Sequence, residues 1–215
     1  MLVDEADAKA LVDELGGDRH ALAVHYDLAE EDSIVRALAA VEQRWGPVDV
    51  LVANALRRGP RRAADTHMED VAPDQWRPLV QDNLAGTLRT VQLVLPGMRE
   101  RGWGRIVLVS SHVTRDGHAG QEFYAAGKSA LHGFARNLAW DAGPDGVLVN
   151  TVAPGLTLTE GVRDVLPAAV RERELAHTPT GRISSMGEVA AAIVFLGSAG
   201  NGNITGEVLQ VAGGR

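Results

Sequence analysis

Residues 104–128 read GRIVLVSSHVTRDGHAGQEFYAAGK, and this stretch decides the fold. Arg105–Ser110 (RIVLVS) is a short apolar run of strand length, the pattern of a strand buried on both faces. Phe123–Asp141 carries the spacing of the next helix. Working outward, Glu31–Trp45 reads as a helix closed by Gly46-Pro47, and Val48–Ala53 (VDVLVA) as a buried strand. Trp76–Met98 is a long helical pattern deflected near Pro96. Downstream, Val147–Val152 (VLVNTV) is a strand ending at Pro154-Gly155, and Gly187–Gly197 is helical. Glu207–Val211 is a last strand before Gly213-Gly214. Near the start, Asp4–Leu15 is a helix stopped by Gly16-Gly17, and His20–Tyr26 (HALAVHY) reads as a short strand. Strands alternating with helices predict an α/β protein with a parallel sheet. No repeat or low-complexity linker interrupts the pattern, so residues 1–215 form a single domain.

Composition excludes several classes of function. A net charge of -7 argues against a general nucleic-acid binder. The absence of cysteine removes disulfides, thiolate metal sites and cysteine nucleophiles. No apolar run is long enough to span a bilayer, and Met1–Ala10 is too acidic for a signal peptide. The expectation is a soluble cytoplasmic domain with no membrane or nucleic-acid partner. His112, His118 and His132 match no zinc signature, and they read as surface or substrate-pocket residues with no metal.

In open parallel sheets ligands sit beyond the carboxyl ends of the strands, so the chemistry is sought there. Tyr124 and Lys128, four apart in YAAGK, share one helix face. A free tyrosine with a pKa of roughly 10 is a poor acid or base at neutral pH. A nearby ammonium favours the phenolate and makes proton exchange with a carbinol or carbonyl oxygen feasible. Ser111, thirteen residues before Tyr124, places a hydroxyl where it can steady the same oxygen. Tyr-x-x-x-Lys alone equally describes a half-buried tyrosine beside a solvated lysine.

Taken in order, these motifs resemble a classical short-chain dehydrogenase/reductase, most closely the branch with β-ketoacyl carrier-protein reductases. LVANA at Leu51–Ala55 is similar to the family's LVNNAG, and QDNLAGT contains Asn83, twenty-eight before Ser111, at the spacing of its asparagine. GRIVLVSS, YAAGKSAL, VNTVAPGLTLTE, GRISSMGEVAAAIVFLGS and NITGEVLQVAGG follow in family order. The resemblance implies a Rossmann-like doubly wound parallel sheet and NAD(P)-dependent interconversion of a secondary alcohol and a ketone, of a 3-oxoacyl or other small carbonyl substrate. It implies Tyr124 as general acid/base, Lys128 as the group that lowers its pKa and holds the nicotinamide ribose, Ser111 as carbonyl orienter, and Asn83 as support for a water-linked relay to Lys128. Cofactor contacts carried over are Asp27 and Leu28 on the adenine, Asn54 and Ala55 on the adenosine side, and Pro154, Gly155, Thr157 and Thr159 around the nicotinamide. Each has a plainer use: Asn83 as a cap or kink, Asp27 as a loop cap, Pro154-Gly155 as a strand-ending turn. The cofactor is NAD or NADP, with NAD favoured by Asp4 at the place of the ribose-binding acid, although Asp4 also suits a helix N-cap. A homodimer or homotetramer is implied, built on the helices of Trp76–Met98 and Phe123–Asp141.

The chain departs from the family pattern at its start. The family's first strand, its T-G-x-x-x-G-x-G turn, first helix and most of the second strand have no counterpart, so the expected sheet is N-terminally truncated. Either a start lies upstream, or the fold is rebuilt, for example through a partner subunit. Leu56 replaces the glycine after Asn54-Ala55, and Ala53 the first asparagine. The loop RRGPRRAADTH carries Arg57, Arg58, Arg61 and Arg62, readable as a solvated basic loop or as an anion site. Two other functions stay open. One is a cofactor-independent isomerase, lyase or cyclase using the Tyr–Lys pair, and the other is a non-catalytic remnant acting as a binding subunit.

Overall fold

The computed structural model describes residues 5–57, 59, 62, 63, 65–163 and 165–215; Asp4, Arg58 and Arg61 therefore lie outside the described residues. In chain order the elements are α1 (Glu5–Glu14), α2 (Glu31–Trp45), β1 (Val50–Ala53), α3 (Pro73–Glu100), β2 (Gly104–Val109), α4 (Val113–Asp116) and α5 (Glu122–Ala142). They continue with β3 (Val147–Pro154), β4 (Thr157–Leu158), α6 (Glu160–Arg163), α7 (Ala168–Ala176), β5 (Ser184–Ser185), α8 (Met186–Gly197) and β6 (Val208–Val211). The main sheet has the order β1-β2-β3-β6, every pair parallel. A separate parallel pair joins β4 to β5.

Alternation along β2 explains the layers. Ile106 and Leu108 face a core built with Val91, Val94 and Met98 of α3 and Leu131, Ala135 and Leu138 of α5. Val107 faces the other way, into a cluster with Val152 and Leu196 of α8. Helices thus cover both faces of an α/β, Rossmann-like sheet, and β2 is buried throughout. Ser185 caps α8 by accepting from the Glu188 backbone N–H at 3.3 Å, while the Glu188 side chain accepts from the Ser185 N–H at 2.8 Å. Pro78 and Pro96 both lie inside α3, which nonetheless runs unbroken over 28 residues.

One expected strand does not form. His20–Tyr26 has no ladder, because a strand needs a neighbour and β1 pairs only with β2 among the described residues. Along β1, Val50 and Val52 accordingly stay 40% and 42% exposed. The segment is pinned instead by side chains: the Tyr26 hydroxyl and Thr90 Oγ1 of α3 lie 2.6 Å apart. Gly86 allows the next close approach, since a Cβ there would stand 2.6 Å from the Leu28 carbonyl oxygen. No helix among the described residues is long and apolar enough to cross a membrane.

Candidate active site

The parallel register brings the carboxyl ends of β1, β2 and β3 to one edge of the sheet, where Asn54, Ser110 and Gly155 begin three loops. α5 starts beside this edge with Glu122. Arg62 from the loop after β1 pairs with that carboxylate at 3.0 Å, and the Gly120 backbone N–H donates to it at 2.9 Å. Its own backbone N–H, that of Gly120 and the Arg62 guanidinium hold the Glu122 carboxyl at about 2, well below the usual range. Trp76 of α3 stacks on Phe123 with ring centroids 5.0 Å apart and planes within 3°. The first turn of α5 is thereby held from two sides, and Tyr124 sits in it.

Lys128, one turn further, is 8% exposed and donates from Nζ to the Val109 carbonyl at the end of β2, at 2.6 Å. Burial pulls its pKa down to about 8. Ser110 Oγ donates to the Lys128 carbonyl at 3.2 Å and lies 2.7 Å from His132 Nε2, which locks the middle of α5 onto the strand end. Ser111 accepts the Val113 backbone N–H on Oγ at 3.4 Å, leaving its own hydroxyl proton uncommitted. The Tyr124 hydroxyl makes no hydrogen bond among the described residues. Ser111 and Lys128 are therefore tied to the same strand end, Tyr124 lies one helical turn before Lys128, and neither the Ser111 nor the Tyr124 hydroxyl donates a hydrogen bond among the described residues.

Asn83 is placed differently. Its Nδ2 donates to the Leu79 carbonyl at 2.6 Å and the Arg57 carbonyl at 2.9 Å, while Oδ1 accepts the Arg57 N–H at 2.7 Å. Its side chain clamps the loop after β1 onto α3, an attachment reinforced by an Arg57–Asp82 ion pair. Asp27 serves its own turn: Oδ1 accepts from the Ala29 N–H at 2.9 Å, and Ser33 Oγ binds both its N–H and its carbonyl. Leu28 is 8% exposed and packs on Gly86, so it belongs to the core. Asn54 and Ala55 are exposed at the end of β1.

Pro154 ends β3 and its carbonyl accepts the His112 N–H at 2.9 Å, with His112 Nδ1 3.2 Å away. Gly155 donates its N–H to the Val211 carbonyl at 2.9 Å; Thr157 Oγ1 donates to the Gly155 carbonyl, and Thr159 Oγ1 accepts the Val162 N–H at 3.2 Å. These residues shape one loop at the strand ends. Of the histidines, His132 is a structural partner of Ser110, and no group of metal ligands occurs among the described residues.

Sequence reading missed the Arg62–Glu122 pair, the Trp76–Phe123 stack and the Ser110–His132 contact. Only the last left a local signal, since His132 follows Lys128 by one helical turn.

A nicotinamide nucleotide fits one end of this site. An ammonium has three N–H donors, and Val109 takes one from Lys128, so two donors remain for a ribose diol among the described residues. The pyrophosphate end is different. Among the described residues no glycine-rich turn opens a helix at a strand end: α3 opens on Pro73 and α5 on Glu122.

Comparison with known proteins places these features in context. Residues 2–215 match the family model described as enoyl-(acyl carrier protein) reductase. The chain is 37% identical over 210 residues to 3-oxoacyl-(acyl-carrier-protein) reductase FabG of Vibrio cholerae, covering 98% of this chain and 83% of that one. Among solved structures, gluconate 5-dehydrogenase from Burkholderia cenocepacia in complex with NADP and tartrate superposes with a TM-score of 0.84 at 30% identity, covering 98% of this chain and 81% of that one. A 7α-hydroxysteroid dehydrogenase complexed with NADH and 7-oxo glycochenodeoxycholic acid gives 0.86 at 30% identity, covering 99% and 81%. A strand-end serine, a tyrosine and a buried lysine one turn on, within a chain matched almost from end to end, make the assignment: the chain belongs to the short-chain dehydrogenase/reductase family of NAD(P)-dependent oxidoreductases acting on CH–OH and C=O groups.

Proposed function

We propose that the chain interconverts a secondary alcohol and a ketone at the site formed by Ser111, Tyr124 and Lys128, on a 3-oxoacyl or other small carbonyl substrate. The observation that carries this reading is the buried Lys128 ammonium, held by one carbonyl and lying one helical turn from a tyrosine whose hydroxyl has no partner among the described residues. A bound nicotinamide supplies or accepts the hydride. In the direction of oxidation, Tyr124 Oη takes the carbinol proton as the C–H bond breaks; in reduction it returns that proton to the carbonyl oxygen. Ser111 Oγ donates a hydrogen bond to the same oxygen and steadies the charge that builds on it. Lys128 would hold the ribose with its remaining N–H donors.

The loop Pro154–Thr159 would pack on the nicotinamide, with Asn54 and Ala55 on the adenosine side. Asn83 acts here by holding the β1 loop in place. Asp27 and Leu28 would lie at the adenine end. The relatives carry names that point to carbonyl reduction, and solved relatives hold either NADP or NADH, so both nucleotides are admitted. A homodimer or homotetramer on α3 and α5 belongs to the reading and is supported by Trp140 of α5, which stands 84% exposed.

The test is reduction of acetoacetyl thioesters and small ketones with NADPH and with NADH, using the wild type and Tyr124→Phe. Turnover by the wild type, lowered about a hundredfold or more in a folded Tyr124→Phe, is expected. A variant as active as the wild type would remove Tyr124 from the chemistry.

A further inference from the structure

The turn that follows Ser111 and helix α7 enclose an open cavity of about 460 Å³. Its lining is unusual for a site that would receive an aliphatic acyl chain. Asp116, His118, Arg173, Glu174, His177 and Arg215 line it, and Gly117 is the one lining residue without an ionisable side chain. An apolar substrate gains little by leaving water for such walls, whereas a hydrophilic one exchanges hydrogen bonds with water for hydrogen bonds with protein.

The charges are not equivalent. Arg215, with a side chain 14% exposed, donates from Nε to Asp116 at 3.0 Å and from Nη1 to Glu174, whose side chain is 9% exposed. This pairing engages both carboxylates with one guanidinium and joins the Ser111 turn to α7. Arg173 is left over among the described residues: its side chain is 59% exposed, and its one ion pair there, with Glu174, is 3.8 Å long, beyond hydrogen-bond reach. The cavity also adjoins the catalytic segment. Asp116 closes the short helix that follows Ser111, and the rings of His112 and His118 meet edge-on with centroids 6.1 Å apart.

We propose that this cavity is the substrate-recognition end of the cleft and that it selects a small hydrophilic substrate bearing a carboxylate, which Arg173 receives. The guanidinium fork matches a carboxylate in a bidentate way, both acidic walls are already engaged by Arg215, and His118 and the Nε2 of His177 offer ring nitrogens to substrate hydroxyls. This assignment deepens the reading of Ser111, Tyr124 and Lys128 as an oxidoreductase site and rests on it.

Titration calorimetry of the full chain, with and without saturating NADP, tests it. The probes are lactate, tartrate and gluconate, set against the neutral polyols glycerol and glucitol. At least one acid should bind saturably and more tightly than the polyols. Its affinity should fall about tenfold or more in Arg173→Gln, whose exposed side chain puts little of the fold at risk, and recover in part in Arg173→Lys. Acids that bind no better than polyols, or an Arg173→Gln variant with unchanged affinity, overturn the proposal. Turnover of neutral ketones by the wild type with no preference for carboxylates would also overturn it while leaving the oxidoreductase reading intact. Arg173-dependent binding of an acid without any nicotinamide-dependent turnover would do the reverse.

Discussion

Lys128 Nζ donates to the Val109 carbonyl at 2.6 Å, so the ammonium of α5 is fastened to the last residue of the central strand β2. That contact helps fix where α5 stands relative to the strand end, and it places a charge in a setting that is 8% exposed. Burial is the cause of its lowered pKa of about 8.

The consequence for stability has a definite sign. Below about pH 8 the lysine is protonated in both the folded and the unfolded chain, and its burial weighs on the native state. Between about 8 and the ordinary value of 10.5 the unfolded chain binds the proton more tightly, so this residue's contribution to stability rises with pH across that window. Lys128→Met carries no such charge. Denaturant unfolding of both proteins should show the variant's relative advantage shrinking by roughly 3 kcal/mol between pH 7.5 and 10.5. A gap that widens would contradict a buried, desolvated ammonium.

Ser111 should separate chemistry from structure. Its Oγ takes part in a 3.4 Å contact with the Val113 N–H, so Ser111→Ala removes little that supports the fold. Turnover should fall about a hundredfold with a melting temperature within a degree or two of wild type, the pattern of a lost oxyanion donor. Stopped turnover with an unfolded chain, or full turnover with a folded one, would each exclude this role.

Gly86 should prove intolerant although it lies inside a helix, where alanine is ordinarily preferred by about 1 kcal/mol. A Cβ there would stand 2.6 Å from the Leu28 carbonyl oxygen, and backbone must shift to admit it. Gly86→Ala is expected to lose about 1–3 kcal/mol in chemical denaturation, reversing the propensity ranking. A stabilised variant would mean that α3 and the segment after Tyr26 do not approach so closely.

Much of this was legible in the sequence where the signal is local. Glu31–Trp45 was readable to the residue from its apolar spacing and Gly46, and β2, β3 and α5 from runs bounded by turns. His20–Tyr26 has the composition of a strand, but strand formation depends on a neighbour that no local pattern reports. The site divides in the same way. Tyr124 and Lys128 sit one helical turn apart and could be paired by counting. Asn83 could be found by spacing, but its clamp on Arg57 depends on how the β1 loop returns to α3. Arg215 and Asp116 meet across 99 residues, and in a chain so rich in arginine nothing marks which one closes a cavity. α7, whose short helix borders that cavity, is not legible in the sequence, because its charged residues follow no clear amphipathic stripe.

The central claim is that Lys128 and its surroundings receive a nicotinamide nucleotide. Fluorescence titration of the 215-residue chain with NADPH and with NADH, beside Lys128→Met, tests it most directly. Saturable binding of at least one nucleotide, weakened about tenfold or more by the substitution, is the predicted result. A folded chain that binds neither, or a Lys128→Met variant that binds as well as wild type, would contradict the account.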